Sequence, residues 1–127
     1  SWKMREIKFR GFFKDDKEMF NFKHLNLDNF YKSNNVELMQ YTGLKDKNGV
    51  EIYEGDIVVY DDTPYNAHTS ILTGVIKMEN LSFKLISIKP DLFGYRKMLI
   101  GSDDFFNRKS KVIGNIYENK ELLNTDG

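Results

Sequence analysis

Hydrophobic and polar positions alternate at the start of the chain. In Met4–Phe13, MREIKFRGFF, Ile7, Phe9, Gly11 and Phe13 fall on one face and Glu6, Lys8, Arg10 and Phe12 on the other. Period two over this length predicts a half-buried strand. Lys14–Lys17 reads as a polar turn and Lys17–Lys23 as a short return strand. Leu25–Asn35 is polar and Asn-rich, so it reads as a loop with a helical turn. Val36–Tyr41 is apolar enough for a strand. Asp46-Lys47-Asn48-Gly49 ends in Asn-Gly, a strong short hairpin signal because both residues tolerate positive φ. Glu54-Gly55-Asp56 predicts a second turn, and Ile57–Tyr60 a strand covered on both faces. Asp61–His68 contains Thr63-Pro64 and predicts an exposed loop.

Two β-rich runs follow, Ser70–Met78 and Leu81–Ile88, joined at Glu79-Asn80 as a hairpin. Lys89-Pro90 ends it. Tyr95–Ile100 predicts a strand, Ser102 a cap for a helical turn carrying Phe105 and Phe106, and Lys111–Tyr117 the last strand. Glu121–Leu123 supports a short helix at most. Many short strands with little helix predict a mainly β barrel or sandwich.

At 127 residues, the chain suits one domain with its own core. It has no cysteine and two histidines, His24 and His68, so thiolate metal sites are excluded and an ordinary zinc site is disfavoured. No cofactor is expected. Net charge is zero, with residues 1–40 at +2, 41–80 at −4 and 81–127 at +2. The acidic central third would repel a phosphate backbone. No apolar run approaches a membrane span, and charges interrupt the N-terminus, which predicts a soluble protein of the cytoplasm.

MREIKFR, QYTGLKDKNG followed by EIYEGDIV, and VIGNIYEN resemble the YopX family of phage and prophage proteins. The resemblance touches both ends and the centre. It implies a single domain from Met4 to Gly127, preceded by Ser1–Lys3 as an appended segment. It further implies a β region over about 4–40, an SH3-like barrel over about 41–119, and action in a bacterial host cytoplasm. It carries over no catalytic residue, because the family's activity is unknown. Gly11-Phe12-Phe13, Val50 and Lys120 depart from the family's usual pattern.

Gly43, Asp46, Asn48, Gly49, Gly55 and Asp56 form the densest polar and glycine cluster. A metal-dependent hydrolase would pair carboxylates among Asp46, Glu54 and Asp56. Turn chemistry explains their spacing with fewer assumptions: Asp46 and Asp56 accept backbone N–H groups, while Glu51 and Glu54 are solvated. The EF-hand alternative fails, since Leu44 and Gly55 would occupy its first and last ligand positions. No phosphate-binding glycine motif or nucleophile elbow is present.

A recognition surface would draw on Tyr41, Tyr53 and Tyr65, with Arg108, Lys109 and Lys111 as its basic part. The expectation is therefore a non-enzymatic protein-interaction module contacting a host or phage protein. A nucleic-acid-binding barrel is the alternative. Pairing of an N-terminal edge strand with a second copy would make a homo-oligomer.

Overall fold

The computed structural model describes residues 6–22, 35–63, 70–90, 92, 94–101 and 104–124. Tyr65, His24, His68, Ser102 and nearly all of the expected Leu25–Asn35 loop lie outside them. The chain is mainly β. In order come β1 (Phe9–Phe13), β2 (Glu18–Phe22), β3 (Val36–Lys45), β4 (Glu51–Tyr53) and β5 (Asp56–Asp61). Then follow β6 (Ile71–Glu79), β7 (Ser82–Ser87), β8 (Lys97–Leu99), α1 (Asp104–Lys109), β9 (Ser110–Asn115) and a 3-10 helix (Lys120–Leu123). Four strands pair in the order β2-β1-β3-β4 and five, curled, in the order β8-β7-β6-β5-β9. Among the described residues all pairings are antiparallel.

β3 runs past the expected end at Tyr41. Its first half pairs with β1 and its second with β4, with a register shift between Tyr41 and Lys45. Gly43 takes φ 85° there. The Thr42 hydroxyl donates to the Ile52 carbonyl at 2.7 Å and accepts the Leu44 N–H at 3.1 Å. These bonds satisfy backbone groups that a shifted ladder would leave open. One strand thus serves both the N-terminal hairpin and β4, and residue 40 falls inside it.

Local turns formed with adjustments. In the Asp46–Gly49 turn only Gly49 has positive φ, 82°, and its N–H donates to the Asp46 carbonyl at 3.0 Å. The β6–β7 turn sits one residue later than expected, at Asn80 (φ 52°) and Leu81 (φ 67°). Cross-strand pairing of Met78 with Phe83 and Glu79 with Ser82 fixes that register.

Leu44, Ile52, Val58, Tyr60, Ile76, Phe83, Leu85, Ile100 and Phe106 make one buried cluster. Tyr60 and Phe106 stack at 5.5 Å, which anchors α1 on the sheet. β6 crosses β7 so closely at Gly74 that a Cβ would lie 2.5 Å from the Ile86 carbonyl oxygen. That obstacle is backbone. Gly74→Ala should therefore cost about 1–3 kcal/mol, read as a lower urea midpoint with unchanged slope.

β1 departs from the simple amphipathic reading. Ile7 is mostly exposed, whereas Arg10 and Phe12, on the charged stripe, are buried. Phe12 stacks on Tyr117 at 5.1 Å, so this face lies against the C-terminal segment. An aromatic within a charged stripe was the signal that the stripe faces inward.

Candidate functional site

The densest polar cluster is a junction between the two sheets. Asp46 is 5% exposed, and both its carboxylate oxygens are engaged. Oδ1 accepts the N–H groups of Asn48 and Val50, each at 2.9 Å, which shapes its own turn. Oδ2 accepts the N–H of Val112 at 2.9 Å, from β9. The Lys47 N–H donates to the Ser110 carbonyl at 3.0 Å beside it. The β3–β4 turn is therefore fastened to the free side of β9.

Asp56 is 1% exposed. Its Oδ2 accepts the Tyr53 N–H at 2.7 Å, and its Oδ1 accepts from Arg10 Nη2 at 2.6 Å. The Arg10 guanidinium lies over the Tyr53 ring at 4.6 Å, and its Nε has no hydrogen-bond partner. Burial pushes the Asp56 carboxyl above the usual aspartate range, although Arg10 and the Tyr53 N–H oppose it. Gly55 turns the chain into β5 at φ 86°, with its Cβ position 3.1 Å from Met39 Sδ.

The two glutamates are engaged rather than simply solvated. Glu51 pairs with Lys8, and Glu54 Oε1 accepts the Gln40 N–H at 3.1 Å. Lys8 sits over the Tyr41 ring at 4.7 Å, and its bond to Glu51 raises its pKa. Asp46 and Asp56 thus spend their acceptor atoms on backbone and Arg10, and Glu54 is bonded to Gln40. The constellation holds strands together and leaves no free carboxylate pair. No group of three or more metal-ligating side chains occurs among the described residues.

Among the described residues expected to form a recognition surface, the tyrosines are buried rather than open. Tyr41 and Tyr53 are 4% and 5% exposed and pack together at 5.3 Å between centroids. Lys8, just before β1, and Arg10, within it, occupy the approach to the two rings, so neither is an open stacking platform, and burial raises both phenol pKa values. Arg108 and Lys109 end α1, where positive charge suits the helix terminus. Lys109 is paired with Asp62, and Lys111 projects from β9 as an exposed residue.

A surface that the sequence reading did not single out lies on β6 and β7. Ile71, Leu72, Thr73, Ile88 and Leu122 line a cleft of about 530 Å³, with Lys89 and Arg96 among its charged residues. A second, of about 430 Å³, is lined by Val75, Ile86, Ile88, Tyr95, Ile116 and Leu123, with Lys77. Ser87 and Ile88 border both, so the two form one groove beside the 3-10 helix. The available signal was the second stripe of β6, where Ile71, Thr73 and Val75 make the face opposite the core apolar as well.

The profile described as YopX protein matches residues 26–124. The chain belongs to the YopX family. No curated protein matches it. Among solved structures, this YopX-family chain is similar to the crystal structure of protein EF1440 from Enterococcus faecalis, at 28% identity and a TM-score of 0.54. That likeness covers 95% of this chain and 100% of the other. No helix among the described residues is long and apolar enough to cross a membrane.

Proposed function

We propose that this YopX-family chain is a phage-encoded, non-catalytic accessory protein acting in the bacterial cytoplasm. It works as a protein-interaction module, with the β6–β7 groove as its contact surface. One contrast carries the reading. In the polar segment where a reaction centre would be sought, the Asp46 and Asp56 carboxylates are bonded from within, whereas the groove exposes apolar surface, Ile71 above all, beside Lys77, Lys89 and Arg96. An apolar groove with a few charged groups suits a protein segment with apolar anchors and flanking acids. Leu81 at the β6–β7 tip, 95% exposed, adds a further apolar contact. We read the curled sheet, closed toward β9 by the Asp46 turn, as an SH3-like barrel that presents this surface.

The test is recovery from phage-infected host lysate on the immobilised chain and on its Ile88→Lys variant. A host or phage protein retained by the first and lost by the second, with the variant's amide spectrum otherwise native, supports the reading. Equal recovery by both, or none by either, opposes it. The nucleic-acid alternative instead predicts a salt-sensitive gel shift.

A further inference from the structure

A third cleft, of about 670 Å³, lies between the β1–β2 turn and the segment after β9. It is lined by Phe12, Ile116 and Tyr117 and by Lys14, Lys17 and Lys120, with Glu118 as the one acid on its wall among the described residues. This volume suits a small organic ligand. The charges are not equivalent. Lys14 is held by Glu37 at 2.6 Å, and Glu118 accepts from Asn115 Nδ2 at 2.8 Å. Glu37 also acts on the Tyr117 side chain, whose phenol pKa is raised by burial first and by that acid's charge second. Lys17 and Lys120 thus supply the cleft's uncommitted positive charge, above an apolar wall.

Lys17 carries the second observation. It sits at φ 55°, in the left-handed region where an L side chain is disfavoured and glycine is at ease. A lysine at a position suited to glycine costs turn stability. Its side chain reaches the cleft wall.

We infer that this cleft binds a phosphate monoester with an apolar organic body. Lys17 and Lys120 would meet the dianion as two point charges, and Ile116 and the Tyr117 ring, backed by the buried Phe12, would meet the body. Lysine suits this role because an ammonium binds phosphate without demanding planar, bidentate geometry.

The experiment is an amide-resolved titration of the full chain with phenyl phosphate, inorganic phosphate and benzoate as probes. Saturable shifts on residues 12–17 and 115–120 are expected. Phenyl phosphate should bind more tightly than either of the others, and its affinity should fall as salt rises. Lys17→Gly should weaken phenyl phosphate binding about tenfold while raising the melting temperature, because the turn is relieved as the charge is lost. Lys120→Gln should weaken it similarly with the fold unchanged. No saturable shift, shifts centred elsewhere, or unchanged affinity in both variants would overturn the inference.

Discussion

Replacing Asp46 by alanine should destabilise the protein by about 3–5 kcal/mol. The carboxylate is buried and accepts three backbone N–H groups, two from its own turn and one from Val112. Hydrogen bonds to a charged acceptor contribute about 1.5–3 kcal/mol each, and donors left unsatisfied in the interior keep the desolvation cost. Alanine removes all three acceptances and loosens the attachment of the β3–β4 turn to β9. Asparagine retains one carbonyl oxygen, so Asp46→Asn should fall between the two. Urea unfolding measures both. A loss of less than about 1 kcal/mol for Asp46→Ala, the size of an ordinary surface change, would contradict the geometry.

Asp56→Ala should have a comparable effect for a different reason. It leaves the Arg10 guanidinium buried without its carboxylate, and stranding one partner of a buried pair costs about 3–5 kcal/mol. The same carboxyl sets a pH signature. Its folded pKa lies above its unfolded value because burial outweighs Arg10. The native state therefore holds the proton more tightly, so this group's contribution to stability is fully present below the unfolded pKa. It is lost as pH rises through the folded pKa. The stability gap between the unsubstituted chain and Asp56→Asn should accordingly narrow as pH rises across that window. A gap that widens would mean the pairing outweighs burial.

The legible parts of this protein were local. The Asp46–Gly49 turn, the β6–β7 hairpin and the run of short strands all follow from neighbouring residues whose pattern constrains φ and face. Asp46 bonds its own turn through residues two and four positions on, which spacing conveys. Its bond to Val112 spans 66 positions, and the Arg10–Asp56 pair spans 46. No local pattern encodes such contacts. They depend on which faces the two sheets turn toward each other, and β1 turns inward the stripe that its charges would send to water. The tyrosines show the same limit. A Tyr in an alternating strand has an amphipathic side chain that suits either side, and where the Tyr41 and Tyr53 rings lie shows only in their packing on each other beneath Lys8 and Arg10. The bulge at Thr42-Gly43 was hidden because a hydroxyl stood in for a ladder bond.

The conspicuous segment from Gln40 to Val58 therefore works as a joint, and the Arg10–Asp56 pair is its most buried ionic element. A cycle of Arg10→Met, Asp56→Leu and the double substitution, followed by urea unfolding, tests this most directly. Each single should lose about 3–5 kcal/mol, and the double should be more stable than Asp56→Leu by about 2 kcal/mol or more, because apolar side chains replace a desolvated pair. Losses that simply add would contradict the account.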